Sequence, residues 1–313
     1  MSYALCFLFP IAICVVPGDD IPYDVADSPW GQNLGNHRAV VSVPEKANAV
    51  KAKIQWRRRD PSPESKNIIV YEALTAKQIT NVIIKEVNRE FGEIIFQPEN
   101  VGEYYVYYMP YTADTLQSGY KTHYTQPEDT SDPAWCGGLP ESLPETKVIG
   151  IQARTEFDRL DPMEIIVTAE EVKGLIENHK EQSYLLFTED RKFPIRMRDD
   201  LPLRWIKNGS GNKFSGEALK GEFYVFQIGV YPTKASIEDM AITYSDLISE
   251  AGNSIPSSDF YCFNKSGTDW LGEDMEKEIA IDAHKVGVLW FGVQVHENNK
   301  AGTYRGKIVL TPD

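Results

Sequence analysis

Basic side chains are scarce in this chain. Of 313 residues, 32 are Lys or Arg and 46 are Asp or Glu, for a formal net charge of −14. Phosphate recognition needs clustered cations, so the charge balance excludes a nucleic-acid partner and an anionic membrane surface. The one tight basic cluster, Arg57–Arg59 in "WRRRDP", is flanked by acids and a prolyl turn and reads as a solvated strand end rather than an anion site. Cysteine is scarcer still. Cys6 and Cys14 lie in the first apolar stretch, which leaves Cys136 and Cys262. These two have no metal spacing and form either one long-range disulfide or two buried thiols. The histidines, His37, His123, His179, His284 and His296, are scattered without ligand spacing, so no metal site is expected. G-x-S-x-G, the P-loop, G-x-G-x-x-G, H-E-x-x-H and C-x-x-C are all missing. Each is a spacing that a nucleophile, phosphate, dinucleotide, zinc or redox site requires, and no cofactor is expected.

Long hydrophobic runs are confined to one place. Residues 1–18, "MSYALCFLFPIAICVVPG", are apolar and uncharged, and the chain turns acidic at Asp19. That run is too short for a membrane span and suits a secretory signal peptide, with Val16 and Gly18 meeting the small-residue rule for cleavage. The alternative is a buried first strand. Secretion fits two glycosylation sequons, at Asn208 and Asn264. The expectation is a secreted protein with no membrane anchor.

What is present is β-rich. An apolar fraction of 42% with 11% aromatics fills ordinary cores, and the length suits about two domains. From residue 19 to 111, short β-branched and aromatic runs are separated by Pro, Asn and Gly turns, the pattern of an antiparallel sandwich. Residues 112–147 are rich in Pro, Gly and Ser and read as a linker or long loop, part of which docks through Trp135. Residues 148–202 hold the helical connector. Its helix opens on a capping box, Thr168 to Glu171, with Val172, Leu175 and Ile176 as the apolar stripe. Residues 203–313 return to short strands. The fold class is therefore mainly β: two antiparallel sandwiches, Ig-like or jelly-roll-type, joined by a short helical connector.

"VGEYYVYY" (Val101–Tyr108) and "AGTYRGKI" (Ala301–Ile308) each place Gly, one residue, then Tyr at the mouth of a late strand. Gly permits a conformation that a Cβ forbids, and the Tyr hydroxyl can bond back across the corner, as in Ig-like sandwiches. In the first of these strands Tyr105 and Tyr107 alternate against Tyr104, Val106 and Tyr108. Tyr105, Tyr107, Trp135 and Trp205 are the candidates for stacking on sugar rings, with core packing as the alternative for each. Acidic pairs such as Glu189-Asp190, Asp199-Asp200 and Glu273-Asp274 could serve a glycosidase, but neighbours on a strand face opposite ways. Asp199 and Asp200, beside Arg196 and Arg198, are the pair to examine, and an Arg–Asp structural pair explains them equally well.

Several stretches together, "LGNHRAVVSV", "WRRRDPSPESKNIIVYEA", "LLFTEDRKFPIRMRDDLPLRW", "FSGEALKGEFYVFQIGVY" and "LWFGVQVHENNKAGTYRGKIVL", resemble the N-terminal region of glycoside hydrolase family 123-like proteins. The resemblance implies a β-sandwich region ahead of a TIM-like barrel that removes β-linked N-acetylgalactosamine. In that barrel an Asp-Glu pair assists the substrate's own acetamido group. This sequence has no Asp-Glu dipeptide in that order and no strand–helix alternation for a barrel of about 250 residues. No catalytic residue is therefore assigned. The implied partners are a downstream barrel and carbohydrate. A stand-alone carbohydrate-binding module is the alternative, and a weak glycosidase at Asp199/Asp200 ranks behind both.

Overall fold

The computed structural model describes residues 21–116 and 119–313, so the expected signal peptide lies outside the described residues. The chain is mainly β, in several antiparallel sheets. Its first part contains β1 (Tyr23–Val25), β2 (His37–Val43), β3 (Val50–Ile54), β4 (Ile68–Glu72), β5 (Gln78–Ile79), β6 (Val82–Val87), β7 (Gly92–Phe96) and β8 (Gly102–Tyr108). A hairpin of β9 (Tyr111–Leu116) and β10 (Gly119–Tyr124) follows, then α1 (Pro133–Gly137) and β11 (Lys147–Ala153). A six-stranded sheet of order β1-β11-β2-β8-β4-β5 faces a three-stranded sheet of order β3-β7-β6. Only the β1–β11 pair is parallel among these neighbours.

The two-residue period of a strand decides what enters the core. Ala39, Val41 and Val43 of β2 point inward with Tyr104, Val106 and Tyr108 of β8, against Ala52, Ile54, Ile94 and Phe96 of the smaller sheet. Trp56 is laid over Gly92, where a Cβ would overlap the indole. Its Nε1 donates to the Asn88 carbonyl at 2.9 Å, and its ring stacks on Tyr108 at 4.7 Å. The run "QITNVIIKEVN" is not one strand: β5 belongs to the large sheet and β6 to the small one, so the chain changes sheets at Thr80–Asn81.

The second part contains α2 (Ala169–Asn178), β12 (Tyr184–Asp190), α3 (Leu203–Asn208), β13 (Phe223–Pro232), β14 (Met240–Tyr244), β15 (Leu247–Ser249), β16 (Ser254–Ile255) and β17 (Phe260–Cys262). It continues with β18 (Ser266–Thr268), β19 (Asp274–Glu276), β20 (Gly287–Gln294), β21 (Tyr304–Arg305) and β22 (Ile308–Pro312). The sheet β12-β13-β20-β17 puts Phe226, Ile228, Val230, Leu289 and Phe291 against Met240 of β14. Half-buried residues of β14, β15, β21 and β22 pack onto the same core. Its other face is partly covered by α2 and α3, through a separate cluster of Met163, Leu175, Leu185, Phe187, Leu201 and Trp205.

Two boundaries differ from the expectation. Residues 148–202 are not a free-standing helical connector: β11 joins the first sheet beside β2, and β12 joins the second beside β13. The segment 112–147 carries the β9–β10 hairpin and a docked helix. Asp132 caps α1 by accepting from Ala134 N at 2.7 Å, and Trp135 Nε1 donates to Asn48 O at 3.0 Å. The Thr168–Glu171 capping box forms as expected.

Both Gly-x-Tyr corners close. Tyr104 Oη donates to Asn100 O at 2.7 Å, and Tyr304 Oη donates to Lys300 O at 2.8 Å. Gly102 has φ +141° with open space around its Cβ direction, so its glycine is required by the backbone and not by crowding.

The cluster Arg57–Arg59 is not a solvated strand end. Arg57 is buried and forks onto Glu171 at 2.7 and 2.9 Å, Arg58 reaches Asp60 at 2.8 Å, and Arg59 reaches Glu164 at 2.6 Å. Arg57 has φ +52°. Its N–H donates to Glu90 O, and its carbonyl accepts from Ile166 N. The cluster joins the first β unit to α2.

Candidate functional site

The outer face of the six-stranded sheet gathers the first group. The register sets Arg38 opposite Tyr107 on one side and Gln152 on the other, and Tyr105 opposite Val40 and Tyr71. Because Ala39, Tyr104 and Val106 take the inner face, these side chains point outward. Arg38 Nε donates to Gln152 Oε1 at 2.8 Å, and Nη1 donates to Tyr107 Oη at 3.0 Å. Its guanidinium lies 3.5 Å from the ring centre of Tyr105 and 4.5 Å from that of Trp30. Trp30 is held by its Nε1 bond to Gly35 O at 2.8 Å and meets Tyr107 edge-on at 5.4 Å. Tyr71 meets Tyr107 edge-on from the other side at 5.8 Å. Burial raises the pKa of the Tyr107 phenol against the opposing pull of Arg38, so it stays neutral. The expected pair Tyr105 and Tyr107 thus share one face. Tyr107 is closed off, and Tyr105 and Tyr71 remain half-buried.

The second group lines a cleft of about 810 Å³ between the first β unit and α2. Arg89, Glu90, Val172, Asp199, Asp200 and Tyr231 are among its walls. Three of the acids there, Asp199, Asp200 and Glu90, have partners. Asp200 pairs with Arg89, Asp199 accepts from Lys285 Nζ at 2.7 Å, and Glu90 accepts from Ala169 N at 2.7 Å. The hydrogen bond and charge of Lys285 hold Asp199 below the usual carboxylate range. A glycosidase needs one carboxyl raised to hold a proton. Asp199 is driven the other way. The local arginines expected as partners are engaged elsewhere or exposed: Arg196 reaches Asp161 at 3.1 Å, and Arg198 is exposed.

A third group was not legible in the sequence. Phe223, Tyr261 and Phe263, at 36%, 50% and 51% exposure, gather on the part of the second sheet that α2 and α3 leave bare. Phe223 lies 5.7 Å from Tyr261 and 5.8 Å from Phe263, over Gly292, where a Cβ would overlap its ring. The run Phe223–Pro232 is apolar on both faces, so alternation gave no signal of which side would be open.

The remaining candidates separate. Trp135 and Trp205 are core residues, 8% and 2% exposed, and neither offers a face to a sugar. Trp205 stacks on Phe187 at 4.3 Å, and its Nε1 donates to Glu189 Oε1 at 3.0 Å. Phe291 is fully buried and Trp290 is half-buried. Cys136 and Cys262 are both free. They sit in different clusters, Cys136 beside Trp135 and Cys262 in the second core, so the disulfide is not formed. Asn208 is exposed at the end of α3, while Asn264 is half-buried with its Oδ1 accepting from Trp290 N at 2.6 Å.

Residues 28–154 match the family model for the glycoside hydrolase 123 N-terminal domain. No curated protein matches the chain. Among solved structures, a family 123 glycoside hydrolase from Clostridium perfringens, described for glycolipid glycan hydrolysis, is similar at 20% identity and a TM-score of 0.26. That overlap covers 31% of this chain and 19% of that one, so the chain spans about a fifth of that hydrolase. The secreted serine protease VesC from Vibrio cholerae overlaps 93% of this chain and 48% of its own at 11% identity, with a TM-score of 0.19. At these scores neither overlap defines a fold.

Proposed function

We propose that this chain, whose residues 28–154 match the family model for the glycoside hydrolase 123 N-terminal domain, is the non-catalytic β region of a secreted protein of that kind. Its role is to support a carbohydrate-active barrel whose family activity is β-N-acetylgalactosaminidase. The family match carries the reading. The paired state of Asp199, Asp200 and Glu90 supports it, since each of these cleft carboxylates is committed to a partner within the protein. The bare aromatic group of Phe223, Tyr261 and Phe263 suits a surface that another domain covers.

The native size tests this. An antibody against this region should detect a deglycosylated species about 30 kDa heavier than this chain, room for a barrel of about 250 residues. A species at 35.4 kDa or slightly below would contradict it. A second reading, direct sugar contact by this chain, is favoured by the outer face carrying Trp30, Tyr71 and Tyr105.

A further inference from the structure

We infer that the outer face of the six-stranded sheet binds an acidic sugar, with Arg38 receiving its carboxylate and the aromatic side chains around it receiving its ring. The inference rests on the sugar-contact reading of this face and not on any hydrolytic domain.

Arg38 is the anomaly that points there. The other buried or half-buried arginines, Arg57, Arg58, Arg89, Arg154 and Arg204, each have a carboxylate within 4.0 Å. Arg38 is 9% exposed and, among the described residues, has none. A chain with 46 acids does not lack for partners. Removing a guanidinium from water without a counter-charge is costly, and two aromatic rings and two neutral hydrogen bonds offset that only in part. The other groups facing it are the Gln152 amide, the Tyr107 hydroxyl and the Trp30 and Tyr105 rings, all neutral.

The donor inventory shows what is left over. A guanidinium has five N–H groups in a planar fork. Arg38 uses Nε on Gln152 and one Nη1 hydrogen on Tyr107. Among the described residues Nη2 has no acceptor, and it is not among the buried atoms left without one, so it reaches the surface. A surface-facing fork with its remaining edge fixed by two bonds is preorganised for one planar anion. The half-buried rings of Trp30, Tyr71 and Tyr105 supply apolar edges for pyranose C–H groups. The Gln152 amide N–H groups, which have no acceptor among the described residues, suit ring hydroxyls. A carboxylate on a sugar satisfies all three features. A neutral sugar leaves the guanidinium unused, and a bare anion leaves the rings unused.

The test titrates the whole chain with 3′-sialyllactose, with lactose as its neutral counterpart and with acetate, following the Trp and Arg side-chain signals by NMR. The expected result is saturable binding of sialyllactose at a Kd of about 1 mM. Lactose and acetate should each bind at least about tenfold more weakly, a difference of about 1.4 kcal/mol. Arg38→Lys keeps the charge but loses the fork, and it should weaken sialyllactose about tenfold. Tyr71→Ala, at a half-exposed position, should weaken it by a smaller factor while the far-ultraviolet spectrum is unchanged. Equal binding of lactose and sialyllactose would overturn the acidic specificity and leave the sugar-contact reading standing. Equal binding of acetate would reduce the site to an anion hole and overturn the proposal. Absence of saturable binding by either sugar would overturn both readings.

Discussion

The two β units solve one packing problem in two ways, and the difference explains why their outer faces differ. Each lays an indole on a strand glycine: Trp56 on Gly92 in the first, Trp205 on Gly229 in the second. Trp56 does this from inside the core, stacked on Tyr108 of the opposing six-stranded sheet, whose outer face carries Arg38 and its aromatic neighbours, while α1 covers the outer face of the smaller sheet through Trp135. Trp205 does it from α3 outside the sheet, so helices cover part of the second sheet's outer face. The hydrogen bonds differ accordingly. The Trp56 indole donates to a neutral carbonyl, whereas the Trp205 indole donates to the buried Glu189 carboxylate, which Arg204 also holds at 3.0 Å. The first unit is apolar at its centre and has its unusual polar group, Arg38, outside. The second has its charge under a helix and its bare aromatics at the other end of the sheet.

The largest effect is expected at the glycines. Gly92→Ala and Gly229→Ala would each force a methyl into an indole that cannot move without disturbing a stacked ring, and each should cost about 3 kcal/mol in urea denaturation. Near-neutral values for both would show that the indoles are free to shift. A smaller contrast is expected at the indoles themselves. Trp205→Phe should cost about 2 kcal/mol and Trp56→Phe about 1 kcal/mol beyond their shared loss of volume, because a hydrogen bond to a buried carboxylate is worth more than one to a carbonyl. Equal costs would mean that Arg204 alone satisfies Glu189.

The first unit should also be the pH-sensitive one. His37, at the start of β2, donates from Nε2 to the Asp158 carbonyl at 2.7 Å. Burial, aided by the positive charge of Arg58, pushes its pKa down to about 4. Since the folded value lies below the unfolded one of about 6.5, the unfolded chain takes the proton first as pH falls. Stability present above pH 6.5 is therefore lost on the way down to about pH 4, by roughly 3 kcal/mol at most. His37→Gln should flatten this dependence when stability is measured across that range. An unchanged slope in the variant would remove His37 as its source. The smallest effect is expected at the tyrosine corners. Tyr104 is fully buried and its hydroxyl also accepts from Asn100 N at 3.0 Å, so Tyr104→Phe should cost about 1.5 kcal/mol. Tyr304 is half-buried beside solvent, and Tyr304→Phe should cost roughly 0.5 kcal/mol. The reverse order in thermal unfolding would show that the second corner carries the greater strain.

These corners are among the features the sequence made legible, because everything they need lies within five residues: a glycine, a tyrosine and a carbonyl four positions upstream. The capping box at Thr168 is equally local and equally readable. Strand character was readable from β-branched and aromatic runs. Strand membership was not. Tyr184–Asp190 looks like part of a connector until Phe223–Pro232 pairs with it. Arg57, Arg58 and Arg59 showed their charge but not their carboxylates, since Arg57 and Arg59 find theirs more than a hundred positions away. The same limit applied to the candidate site. Tyr105 and Tyr107 were recognisable by alternation, but Arg38, Gln152 and Trp30 reach them only through the β2–β8 and β2–β11 registers. Trp135 and Trp205 had the right chemistry for sugar contact, and long-range packing placed both in cores.

The most direct test of the central claim is a hydrolysis assay. The purified chain is incubated with a chromogenic β-linked N-acetylgalactosaminide over a range of pH. Release should be no faster than the buffer blank at every pH, because Asp200, Asp199 and Glu90 of the cleft are committed to Arg89, Lys285 and the start of α2. Saturable turnover that disappears in both Asp199→Asn and Asp200→Asn would contradict it and place an active site in this chain.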